Sequence, residues 1–159
     1  MRSMNLSLLL LALAACNGTT ADDTDTGSDS GTDTASDTGT DTAAPLAIIG
    51  TWTDDYASTH TITEADWTMA SELGTSIFAI SQYDNTAMFV IAQNDSANAY
   101  NADLWSRMDW THDADGVLNF CQSTYDAADE ATALAATPAD ATDLSAGCGG
   151  FAWTVMTAQ

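Results

Sequence analysis

The sequence predicts a mainly β domain: an antiparallel sheet closed or nearly closed into a small barrel, with one short helix before the last strand. Three observations carry this. Short apolar or alternating runs recur along residues 46–159, set apart by polar turn signals. All five Trp, all four Tyr and all four Phe fall in that stretch, so the bulk of a core is concentrated there. Only one segment has helical spacing. A span of this length is one domain with room for a real core.

The strand runs are Ala47 to Thr53, Thr59 to Thr63, Trp67 to Ala70, Thr75 to Gln82, Ala87 to Ala92, Leu104 to Thr111, Val117 to Thr124 and Phe151 to Met156. Asp84-Asn85 separates two of them. His112-Asp113-Ala114-Asp115-Gly116 separates another pair, with Gly where a tight turn takes positive φ. That segment opens like a calcium loop but reads as a hairpin turn. The helix follows the seventh run. Asp126 is placed to cap it, Asp129 and Glu130 lie in the first turn, and Ala127, Ala131, Leu134 and Ala135 share a face. Thr137-Pro138 ends it. So short an Ala-rich helix is marginal alone and has to pack on the sheet.

Ahead of the domain, Arg2 precedes Leu6 to Ala15, ten residues of Leu, Ala and one Ser. A permanent membrane helix needs about 20 apolar residues, so this reads as an export leader, residues 1–15, that is removed. It closes on Leu13-Ala14-Ala15-Cys16, which resembles the bacterial lipobox. The resemblance implies a lipoprotein: the thiol at Cys16 is diacylglycerol-modified, the leader is cut before it and the new amino group is acylated. Two or three acyl chains anchor stably where one does so only marginally. Asn17 stands where an Asp would retain such a protein at the inner membrane, which implies an outer-membrane address in the bacterial cell envelope. The alternative is a plain signal peptide with an incidental cysteine.

Residues 16–45 then form the lipidated Cys and a tether of Asp, Thr, Ser, Gly and Ala, without an aromatic or large aliphatic side chain. It is expected to be disordered, with a typical end-to-end distance of roughly 30 Å. Its Asp residues are scattered and lack the terminal Glu of a calcium loop. All 23 acidic residues lie beyond the leader, against Arg107 alone, and there is no Lys. Nucleic acid and direct attraction to anionic headgroups are excluded on that ground.

With Cys16 assigned to lipid, Cys121 and Cys148 remain outside the cytoplasm, where disulfides persist. A bridge between them closes a loop of about 26 residues and contributes roughly 2 to 4 kcal/mol. Two thiols and two separated histidines are too few for a metal site, so neither metal nor cofactor is expected.

Gly50-Thr51-Trp52 looks like the opening motif of lipocalin-type barrels. The resemblance implies a small lipocalin-like barrel with Trp52 at the closed base and Arg107 lying across it. The chain is shorter than a typical lipocalin, and its helix precedes only one strand. Separately, Trp105 to Thr111, Cys121-Gln122, Tyr125 to Ala128 and Cys148 to Trp153 are similar to a recurring domain of uncharacterised bacterial lipoproteins, a resemblance that brings no activity with it.

Alternation over Leu104 to Thr111 places Trp105, Arg107, Asp109 and Thr111 on one face, and Leu104, Ser106, Met108 and Trp110 on the other. Trp105, Arg107 and Asp109 have the chemistry to bind a carboxylate or a sugar; the other reading is a stacked, paired structural arginine. His60 and His112, with Glu64 and Asp66, are the acid-base candidates. Neither Gly-x-Ser-x-Gly nor His-Glu-x-x-His accompanies them, so they are expected as surface histidines in turns. The sequence thus points to a monomeric, membrane-tethered binding or structural module without catalytic activity, holding a small apolar or sugar-like ligand in a barrel mouth. The alternative is an extracytoplasmic hydrolase whose His and Asp groups converge in a pocket.

Overall fold

The computed structural model describes residues 44–159; the leader, Cys16 and the tether through residue 43 lie outside that range. Eight strands follow in order: β1 (Gly50–Asp54), β2 (Thr59–Ile62), β3 (Asp66–Ser71), β4 (Gly74–Asp84), β5 (Phe89–Asn94), β6 (Trp105–His112), β7 (Leu118–Ala127) and β8 (Thr154–Ala158), with α1 (Glu130–Leu134) between the last two. Each strand pairs antiparallel with its sequence neighbour, and β8 returns to β1, which closes the barrel. Every predicted run overlaps a strand. The last begins later than expected, because Phe151 bridges to Cys148 and the Trp153 N–H donates to the Leu144 carbonyl at 2.9 Å.

Up-and-down connectivity sends successive turns to alternate ends. Residues 44–49 and the β2–β3, β4–β5 and β6–β7 turns form the base. The β1–β2, β3–β4, β5–β6 and β7–β8 connections form the mouth. The base is closed by the chain itself: Leu46 and Ile48 are buried in the core. Asn85 fastens them, accepting from the Ala47 N–H at 2.9 Å and donating to the Pro45 carbonyl at 2.9 Å. Trp52 donates from Nε1 to the Ile48 carbonyl at 3.1 Å. Gly50 lies beside that indole at φ +153°, and a Cβ there would stand 3.3 Å from Nε1. The Gly-x-Trp element is therefore a base closure.

Inside, the alternation of Val90 and Ala92, Met108 and Trp110, and Leu118 and Phe120 packs against Trp67 and Phe78. Burying each large side chain contributes about 1.5–3 kcal/mol. The outer face of β5 to β7 is covered as well: Phe89, Ile91 and Trp105 pack against Ala127 and Ala133. Strand β6 is consequently buried on both faces.

The helix is shorter than expected and capped elsewhere. Asp126 still belongs to β7, which runs on to pair Ala127 with Trp105. Asp129 is the N-cap, its Oδ1 accepting from the Thr132 N–H at 2.7 Å. Ala133 is the buried residue of the helix, whereas Leu134 is 41% exposed. Residues 135–153 continue as a strap pinned to β7 by the Cys121–Cys148 disulfide, whose Cα atoms are 5.7 Å apart. The strap folds around Trp153, which donates from Nε1 to the Asp140 carbonyl at 3.2 Å. Among the described residues no helix is long and apolar enough to cross a membrane.

Candidate functional site

Two charged constellations and the mouth of the barrel are the places where chemistry is concentrated. The first constellation is interior. His60 alternates with Ile62 on β2, and both point into the core; the histidine is 0% exposed rather than on the surface. Trp67, across the β2–β3 ladder, donates from Nε1 to His60 Nδ1 at 3.0 Å. That assignment leaves the proton on Nε2, which donates to Asp54 Oδ2 at 3.1 Å. The other carboxylate oxygen, Oδ1, accepts from the backbone N–H groups of Tyr56 and Ser58 at 3.0 and 2.7 Å. Asp54 thereby closes the β1–β2 turn and orients the ring together. Burial, the largest influence, pushes the imidazole below its ordinary value although Asp54 pulls the other way. For Asp54 burial raises the carboxyl, but hydrogen bonds from His60 and from the turn outweigh it and leave the group below 3.8.

An Asp–His pair of this kind is half of a nucleophilic triad, but here the third partner is an indole N–H. Both ring nitrogens are occupied, and the one free lone pair, on Nδ1, is taken by the indole and does not face a substrate. His112 is exposed at the base end of β6, and Glu64 is exposed in the β2–β3 turn. Asp66 opens β3, where it pairs with Ala79. The structure does not gather these groups around His60, and among the described residues no cluster of three metal-ligating side chains occurs.

The second constellation lies on the outer face of β6, beneath α1 and the strap. Arg107 and Asp109 are each 4% exposed. The guanidinium reaches Asp109 Oδ1 from Nε and Nη2, both at 2.9 Å, and donates from Nη1 to the Leu134 carbonyl at 3.2 Å. It also lies 4.4 Å above the Phe89 ring. Asp109 Oδ2 accepts from the Ser123 hydroxyl and, at 3.1 Å, from the Ala139 N–H. Every nitrogen of the guanidinium and both carboxylate oxygens thus have a partner within the protein, and Trp105 beside the pair packs in the apolar cluster under α1. The arginine does not lie across Trp52, as the lipocalin resemblance implies: Trp52 belongs to the interior, and Arg107 lies on the opposite face of the sheet wall. The pair locks helix and strap to the barrel.

The mouth has a different character. A cavity of about 200 Å³ opens among β3, β4, β5, β7 and the β5–β6 loop. The loop is anchored by Asn98, whose side chain accepts from the Ile77 N–H and donates to the Ile77 carbonyl, both at 2.8 Å. Asn94, buried below, donates to the carbonyls of Asn101 and Tyr125 at 2.8 and 3.0 Å and accepts from the Ser106 hydroxyl at 2.6 Å. Gln122 donates in turn to Ser106 at 3.0 Å. No residue lining this cavity is charged, in a chain with 23 acidic side chains. These residues come from separate strands and carry no spacing motif; the one sequence signal was the polar run from Asn94 to Asn101 ending beside Tyr100.

Neither a family model, nor a curated protein, nor a solved structure matches this chain.

Proposed function

We propose that the protein is a lipid-anchored binding module of the bacterial cell envelope, held to the outer membrane through Cys16 and presenting its barrel mouth to a ligand. The supporting observation is a polarity of the domain. The chain enters at the base, where Leu46 and Ile48 plug the barrel, whereas Tyr56, Leu73, Tyr100, Tyr125 and Phe151, the five most exposed large apolar or aromatic side chains among the described residues, all lie at or beside the mouth. Scattered apolar side chains need no explanation, but their gathering at one end does. The export leader, the Leu-Ala-Ala-Cys tetrapeptide and the acidic tether supply the rest of the reading.

Two measurements test it. Cells fed labelled palmitate should yield labelled protein in the membrane fraction, and Cys16→Ser should lose the label; a labelled Cys16→Ser chain defeats the anchor. The Cys16→Ser chain should still sediment with isolated envelope fragments, and Tyr100→Ala combined with Tyr125→Ala should release it. Absence of sedimentation by the Cys16→Ser chain defeats the binding role.

A further inference from the structure

We propose that the mouth cavity binds a neutral saccharide, taking one sugar ring between the Tyr100–Tyr125 lip and the amide and hydroxyl groups beneath it. The inference rests on the binding-module reading and gives it a ligand class. Its first ground is charge. A cation would find no carboxylate in the lining, and an anion would find no basic group while meeting the repulsion of a strongly acidic molecule. An uncharged ligand is what remains.

The second ground is the depth and chemistry of the space. Below the cavity the barrel is filled by Phe78, Trp67, Phe120 and Met108, which leaves no long apolar shaft for an acyl chain. The opening, about 200 Å³, is smaller than the ~300–1,000 Å³ that enclose a drug-sized ligand, so it admits one ring and leaves the rest of a chain outside. Its wall is prearranged. The amides of Asn94 and Asn98 are each bonded through both oxygen and nitrogen, to backbone and to Ser106, so they fix the shape and do not need a ligand to hold them. Capacity for a ligand is held by other groups: Gln122 Oε1, the Ser76 hydroxyl and the Asn101 side chain make no hydrogen bond among the described residues. Together they offer donors and acceptors to the adjacent hydroxyls of a sugar. Above them, Tyr100 is 84% and Tyr125 53% exposed, two rigid rings whose faces suit the C–H side of a pyranose and whose hydroxyls stay wet.

The test is a titration of the purified full-length Cys16→Ser protein, followed by amide and aromatic NMR shifts. The neutral probes are cellobiose, maltose, lactose and N,N′-diacetylchitobiose; laurate and glucuronate are the contrasting ones. At least one neutral disaccharide should give saturable shifts centred on Tyr100, Asn101, Gln122 and Tyr125. Tyr125→Ala should weaken that binding about tenfold, or roughly 1.4 kcal/mol, whereas Tyr56→Ala, on a different mouth turn, should leave it unchanged. Saturable shifts with laurate or glucuronate and none with the disaccharides overturn the saccharide while leaving a binding module in place. Silence from every disaccharide also overturns it, and the envelope sedimentation experiment then decides separately whether the module binds anything.

Discussion

His60 accepts a hydrogen bond from Trp67 on one ring nitrogen and donates to Asp54 from the other, a relay that ties the core to the first turn of the mouth. Protonating the ring would set an Nδ1–H against the indole N–H at 3.0 Å, two donors face to face.

A pH dependence of stability follows. His60 titrates lower in the folded protein than its ordinary 6.5, so as pH falls below that value the unfolded chain takes up the proton first. The contribution is therefore complete above pH 6.5 and drains away below it. That of Asp54, lowered from 3.8, persists further and is lost only as pH falls beneath the ordinary carboxylate range. Thermal melts between pH 7.5 and 5.5 should show Tm declining with acidification. His60→Gln, which keeps an acceptor and a donor but does not titrate, should flatten that slope. An unchanged slope in His60→Gln refutes the assignment.

The Arg107–Asp109 pair should be sensitive to loss of either member. Arg107→Met leaves a buried carboxylate without its cation, and Asp109→Leu the reverse; each is expected to cost about 3–5 kcal/mol in urea unfolding. The double variant removes both charges together and should recover much of the loss. If the double variant is as unstable as the sum of the singles, the two residues act independently.

Replacing both Cys121 and Cys148 by Ser should lower unfolding stability by roughly 2–4 kcal/mol, the value expected for a closed loop of this size. Hydrogen exchange should also rise across residues 135–153 more than in β2 to β4, since the strap loses its covalent tie to β7. Uniform exchange across the barrel would show that the bridge does not hold the strap.

Gly147 is a packing requirement. A Cβ there would come within 2.0 Å of the Asp140 carbonyl oxygen and 2.5 Å of that of Asp143. Gly147→Ala should therefore force the strap open and reduce stability by about 1–3 kcal/mol, as overpacking generally does. Gly149→Ala, with open space around the added carbon but φ +61°, should show a smaller penalty from backbone strain alone.

The strands were legible because a short apolar run such as Ala87 to Ala92, or an alternation such as that of Thr59 to Thr63, is a property of the local chain. What stayed hidden depends on several elements at once. Alternation sorted Arg107 and Asp109 from Met108 and Trp110, but both faces of β6 are buried, so the pattern alone did not say which points inward. The burial of His60 did have a signal: it shares a strand face with Ile62, and Asp54 precedes it by the length of one tight turn. Asp126 was a reasonable cap by sequence. It lost to Asp129 because β7, displaced by bulges opposite Arg107, continues as far as Ala127. The mouth was illegible because Ser76, Asn98, Gln122 and Tyr125 meet only once the barrel closes.

That closure reaches beyond the single molecule. With β8 hydrogen-bonded to both β7 and β1, the described sheet keeps little free border, chiefly the stretch of β7 beyond Phe120, in place of two whole edge strands. Two copies brought close together meet mainly through side chains, and most of their charged ones repel. Templated fibre growth is thereby left little of its usual starting place.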